Sequence, residues 1–155
     1  MPQMNKGGKF IFGKSLIRED LTIHLPPQAL SEYNATMEGK VYLFTGSKIT
    51  GGFCVTRRGL LEPSKLGHIL TDNLSLQNYQ IAEGEFIKYK GRSYCWVNIS
   101  ENGVIQLNQQ ILDFLNLKIG MELLSIRSSD IAFTMGATGP LLERAEKYEG
   151  EIPLY

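Results

Sequence analysis

Cysteine and histidine are scarce in this sequence, two of each in 155 residues, and their spacings match no ligand pattern. That leaves no metal-site signature. Cys54 and Cys95 each sit inside an apolar, strand-like run and are expected as buried free thiols rather than a disulfide. Charge of one sign is also missing: 16 Lys and Arg stand against 16 Asp and Glu. A strong non-specific nucleic-acid binder carries a basic excess, so neutrality argues against that class while leaving room for a local basic face. No run of about eighteen apolar residues occurs, so no membrane-spanning helix is expected. "MPQMNKGGKF" at the N-terminus has no apolar stretch of the secretory kind, and the expected location is the cytoplasm. What is present is ordinary for a globular chain, 43% hydrophobic and 21% charged residues. The length suits one domain or two small halves.

The chain repeats itself. "LTIHLPPQALSEYNA" from Leu21 aligns without a gap on "GVIQLNQQILDFLNL" from Gly103. Ile23 meets Ile105, Leu25 meets Leu107, Gln28 meets Gln110, Leu30 meets Leu112 and Asn34 meets Asn116. With one deletion Gly39 aligns with Gly120, Leu43 with Leu124 and Ser47 with Ser128; with a second, Phe53 aligns with Phe133. "GLLE" at 59–62 resembles "GPLLE" at 139–143, and "GKFI" at 8–11 resembles "GEFI" at 84–87. An internal repeat of this length implies two copies of one supersecondary unit.

Each copy reads as hairpin, short strand, short helix, hairpin. Apolar residues alternate at 21, 23 and 25 and at 105 and 107, the period of a strand with one buried face. Pro26-Pro27 suits a first helical turn and Asn108 suits an N-cap. Asn34 and Asn116 stand where the helices stop, and Gly39 and Gly120 provide turns. Lys90-Gly91 marks a hairpin turn between "EFIKY" and "RSYCWVNIS". A half of about sixty residues with open strand edges cannot bury its apolar face alone, so the copies are expected to pair about a pseudo-two-fold axis.

The stretches "TIHLPPQALSEYNATMEGKVYLF" and "GVIQLNQQILDFLNLKIGMELLSI" resemble the AbrB/SpoVT-type swapped-hairpin family, grouped with the cradle-loop barrels. The resemblance implies a mainly β, internally duplicated barrel with short helices. Residues 8–61 form the first half, 62–83 a linker with helical character, 84–145 the second half and 146–155 a tail. It also implies a DNA-binding transcriptional regulator in which one chain builds what two chains build elsewhere. Against the family pattern, Leu25-Pro26 becomes Leu107-Asn108 in the second copy, and neither helix, "PQALSEYN" or "QQILDFLN", holds a basic residue.

Two sets of residues carry the functional expectations. Lys88, Lys90 and Arg92 gather at one hairpin, with Lys9, Lys14 and Arg18 in the related region of the first copy; together they are the candidates for DNA contact. Gly46, Ser47, Arg57, Arg58 and Arg127 are the candidates for a small anionic or nucleotide-like ligand. Gly46 to Gly51 starts like a phosphate loop, but Gly52-Phe53 stand where Lys-Ser/Thr is needed, so a tight hairpin is expected there. His24 lies on the polar phase of its strand, and His68 lacks the neighbours of a catalytic triad. No carboxylate pair has a reason for a raised pKa. A non-enzymatic protein without cofactor or metal is expected, with DNA or a small anion as partner, no membrane, and a monomer or homo-oligomer as the assembly. A protein-interaction module is the remaining alternative.

Overall fold

In a computed structural model, residues 10–139, 142–143, 145 and 152–155 are described. Lys9 and most of the tail expected at 146–155 lie outside them. The described chain is mainly β, with nine strands and five short helices. In order, β1 is Ile11–Leu16, β2 Thr22–His24, α1 Pro27–Tyr33, β3 Lys40–Thr45, β4 Phe53–Thr56, α2 Arg58–Leu61, α3 His68–Thr71 and α4 Leu74–Gln77. Then follow β5 Ile87–Tyr89, β6 Arg92–Asn98, β7 Val104–Gln106, α5 Gln109–Leu115, β8 Glu122–Arg127 and β9 Phe133–Gly136. Residues 62–83 hold α3 and α4.

Seven strands pair antiparallel in the order β1-β8-β9-β4-β3-β6-β5, and β2 pairs with β7 separately. The expected barrel is corrected here: among the described residues the large sheet is open, with β1 and β5 at its two ends. The reason lies in the edges. β5 adds a hairpin strand outside β6, and the Pro153 and Tyr155 backbones bond Lys14 and Leu16 along the outer side of β1. The β1 amides that closure would use are therefore taken by the chain's own last residues. Gly13 has φ +148°, and a Cβ on it would stand 2.7 Å from the Tyr155 ring, so a residue without a side chain is required at this contact.

The strand registers exchange one half for the other. Lys40 pairs with Asn98 in β3·β6, and Leu16 pairs with Glu122 in β1·β8; a shift of 82 converts one pair into the other. Ile23 faces Ile105 in the centre of β2·β7. Cys54 faces Thr134 in the centre of β4·β9. The same shift carries Tyr42, not Leu43, onto Leu124. The loops after the helices have equal length: Gly39 N bonds Thr36 O and Met121 N bonds Lys118 O. Both missing residues therefore fall in the β8–β9 hairpin. β6, not β5, is the counterpart of β1, so the likeness of "GKFI" to "GEFI" has no counterpart in the pairing.

The helices end as expected. Asn34 (φ 49°) and Asn116 (φ 57°) adopt the left-handed conformation at the C-caps. Asn108 Oδ1 accepts from Ile111 N at 2.8 Å, whereas Pro26 makes no side-chain cap bond. Lys90 (φ 47°) and Gly91 (φ 85°) form the β5–β6 turn with both residues left-handed, the conformation that matches hairpin twist.

The sheet is covered on both faces, by different means. On one face α1, α5 and β2·β7 bury Phe12, Tyr33, Leu43, Phe53, Ile105, Leu112, Phe133 and Met135 in the main core. The opposite face takes two separate coverings. Residues from α2 to α4 pack Leu61, Ile69, Leu70 and Leu76 on Tyr42 and Tyr94. At the far end Leu142, Ala145 and Ile152 pack on Ile11, Leu124 and Ile126. Between the two coverings, among the described residues, the sheet floors a cleft.

Candidate functional site

That cleft is floored by a single cross-strand row. Ile126 pairs with Thr134, Thr134 with Cys54, Cys54 with Phe44, and Phe44 with Tyr94. Directly opposed residues share a face of a sheet, so all five side chains point the same way. Cys54 and Thr134 sit at the centre of the row, where the two halves meet, with Cys54 Sγ and Thr134 Oγ1 at 3.3 Å.

Two adjoining cavities lie over the row. The first, 370 Å³, is lined by Phe44, Leu61, Leu66, Ile69, Tyr94 and Ile131, with His68, Tyr89, Lys90 and Arg92 around it. The second, 330 Å³, is lined by Ser47, Thr50, Cys54, Ser128, Ser129 and Thr134 as well as apolar groups. Phe44, Leu66, Arg92 and Ile131 belong to both. Each volume is in the range of small-molecule sites. Loop 128–132, which walls the second cavity, is tied down from below: Thr56 Oγ1 donates to Ile131 O at 2.6 Å and Tyr33 OH donates to Ser129 O at 2.7 Å.

Arg92 stands at the junction. It precedes Tyr94 by two residues on β6 and so points to the same face. Its guanidinium carbon lies 5.5 Å from the Phe44 ring centre, a cation–π contact that orients the fork. Among the described residues the ion pairs are Lys14–Glu122, Arg57–Glu38, Arg58–Glu62 and Arg127–Glu32. Arg92 belongs to none of them. At the mouth, Tyr89 OH donates to Asp72 Oδ2 at 2.6 Å and lies 2.9 Å from His68 Nδ1. With the phenol proton committed to Asp72, His68 Nδ1 is the donor of the second bond.

The thiols and phenols on and around the cleft are biased toward their neutral forms. Burial pushes the Cys54 thiol up, against opposing effects of the Thr134 hydroxyl and Arg92. Burial pushes Cys95 up to about 12. Tyr33 is pushed up to about 12, first by burial and then by the Glu32 charge. Tyr89 is raised by its bond to Asp72. Both cysteines are free and buried. They behave as apolar side chains rather than nucleophiles.

The candidates from the sequence are dispersed. Lys14 and the 88–92 hairpin lie on the two ends of the seven-stranded order. Lys14 is 3.8 Å from Glu122. Arg18 is exposed in the β1–β2 turn beside Glu19 and Asp20. Lys88 alternates with Tyr89 and faces away from the cleft, while Lys90 and Arg92 face into it. Gly46 and Ser47 lie in a loop closed on itself: Gly46 N bonds Gly52 O, Gly51 N bonds Ser47 O, and Thr50 N bonds Ser47 Oγ at 3.1 Å. Ser47 nonetheless reaches the second cavity.

The three anion-candidate arginines each hold a carboxylate. Arg57 donates to Tyr33 O at 3.0 Å and to Glu38 Oε2 at 2.6 Å, and the same Glu38 oxygen accepts from Gly59 N at 2.9 Å. This buried arginine ties α1 to the start of α2. Arg58 pairs with Glu62 one helical turn on at 3.3 Å. Arg127 makes a two-bond fork on Glu32 and lies over Phe10 at 4.7 Å. The residues that sequence reasoning missed are Phe44, Tyr94, Thr134, Leu66 and Ile131. A trace of them is visible in "KVYLFT", where both phases of the strand are apolar, so both faces must be covered.

Two shallower hollows, of 530 and 480 Å³, flank Asn116 and Asn34. Each lies beside a left-handed helix cap. Among the described residues no group of three or more His, Cys, Asp or Glu could hold a metal, and no helix is long and apolar enough to cross a membrane. No protein-family model matches the chain, and no curated protein matches its sequence.

Proposed function

We propose that the protein is a duplicated, single-chain relative of the AbrB-like swapped-hairpin type, and that it binds a small anion in the cleft between the two coverings of the sheet. The observation that carries the binding reading is Arg92. It is a guanidinium shared by two cavities, oriented by an aromatic ring and without a carboxylate partner among the described residues. A free fork of this kind suits a planar anion. Exchange of the two halves by a shift of 82 supports the duplication. The test is thermal unfolding with a panel of small anions, from acetate and inorganic phosphate to aromatic carboxylates and nucleoside monophosphates. A ligand raises the unfolding temperature of the wild type and not of Arg92→Gln. If no anion moves it, the reading is lost.

A second reading keeps the protein as a DNA-binding regulator that acts through the β5–β6 hairpin. It is favoured by three cations, Lys88, Lys90 and Arg92, none of which makes an ion pair among the described residues. The β2·β7 ribbon lends it less, because the flanking turns hold Arg18 against Glu19, Asp20 and Glu101. Fluorescence anisotropy with mixed-sequence duplex DNA across a salt series decides it. Micromolar binding with a steep salt slope, reduced when Lys88, Lys90 and Arg92 are all changed to Ala, supports the reading. Absence of binding at low salt removes it.

A further inference from the structure

We infer that the ligand of this cleft is an aromatic monocarboxylate, its ring in the first cavity and its carboxylate on Arg92. The inference rests on the anion-binding reading above and adds the class of molecule.

The first cavity is walled by rings. Phe44 and Tyr94 are tilted at 5.6 Å, Tyr94 and Tyr89 meet edge-on at 6.5 Å, and His68 lies 5.9 Å from Tyr89. Leu61 and Ile69 close the other side. A flat ring entering there meets both faces and edges of aromatic neighbours, the arrangement that adds to simple area burial. A branched or hydrated group gains less.

The charge count selects a monoanion. Arg92 and Lys90 line the cavity, and Asp72 is bound to its rim through Tyr89. Among the described residues, two fixed cations against one carboxylate leave one positive charge beside His68 for the ligand. A phosphate dianion exceeds that single charge. In the neighbouring glycine loop Gly46, Thr50 and Gly51 already spend their N–H groups within the loop. A carboxylate needs only the parallel N–H groups of one guanidinium. The serine and threonine hydroxyls of the second cavity then face the open side of that carboxylate or a polar substituent on the ring.

The experiment is calorimetric titration of the full chain with 2-naphthoate, cyclohexanecarboxylate, acetate and inorganic phosphate, repeated with Arg92→Gln, Arg92→Lys and Leu66→Trp. Leu66 is 46% exposed and lines both cavities, so a larger ring there obstructs the cleft without entering the core. Circular dichroism checks that each variant is folded. Naphthoate is expected to bind at least about tenfold tighter than the other three, with at least about tenfold loss in Arg92→Gln and Leu66→Trp. Arg92→Lys restores part of the binding, since the charge returns without the fork. If acetate or phosphate binds as tightly as naphthoate through Arg92, the aromatic assignment falls and the anion-binding reading stands. If naphthoate binds equally well to Arg92→Gln, or no anion binds the wild type, both fall.

Discussion

The two faces of the seven-stranded sheet are covered by opposite strategies. On one, α1, α5 and the β2·β7 ribbon close over one continuous core. On the other, among the described residues, α2 to α4 cover one end and Leu142, Ala145 and Ile152 the other, with a cleft between them. The ribbon-covered face holds the fold together. The other face holds the cleft in which we propose a ligand site. Phe44 and Ile126 flank the Cys54–Thr134 pair on its two sides, and among the described residues the Phe44 side carries Arg92 and a ring-lined cavity.

Substitutions break or sharpen this contrast. The largest loss is expected on the ribbon-covered face. Phe133 is fully buried and packs against Phe12 and Tyr33 at 6.3 and 5.1 Å. Phe133→Ala should cost about 3–5 kcal/mol in denaturant unfolding. Next, the two halves should differ at their arginines. Arg57→Ala strands Glu38 in a half-buried place and should cost about 3 kcal/mol. Arg127→Ala, at an exposed pair, should cost at most about 1 kcal/mol. Equal losses would contradict the division of labour between them.

Tyr33 should contribute to alkaline unfolding, beside the raised Cys95 thiol. The folded pKa of Tyr33, about 12, lies above its ordinary 10.0, so its contribution is complete below pH 10. That contribution is lost as pH rises from 10 through 12. Denaturant midpoints measured over this range should fall less steeply in Tyr33→Phe than in the wild type. Asn108→Ala removes a side-chain cap bond and should cost about 1 kcal/mol, a loss with no counterpart at Pro26. Arg92→Gln should be the mildest, within about 0.5 kcal/mol, because an exposed side chain of the cleft face does not hold the fold.

Much of the ribbon-covered face was legible in the sequence. The period-two pattern around Ile23 and Ile105, the caps Asn34, Asn108 and Asn116, and the Lys90-Gly91 turn are local signals, and each produced the expected backbone. The register was less legible, because glycine alone suggested a deletion between α5 and β8. Glycine placement in a turn drifts by one residue without changing loop length, so Gly39 and Gly120 misled the alignment. Closure was not legible either: nothing local says that the last residues take the outer edge of β1. The cleft was the least legible part. Its floor joins residues from five strands, and the fate of Arg57, Arg58 and Arg127 depended on carboxylates that only folding brings near, except for the helical neighbour Glu62.

The most direct test of the account is a residue-resolved amide spectrum recorded while 2-naphthoate is added to the full chain. The account predicts that shifts concentrate at Phe44, Cys54, Arg92, Tyr94, Ile131 and Thr134, and that the β2·β7 ribbon around Ile23 and Ile105 stays still. Shifts centred on the ribbon or on the turns at Arg18 and Glu101, or no shifts at all, would contradict it.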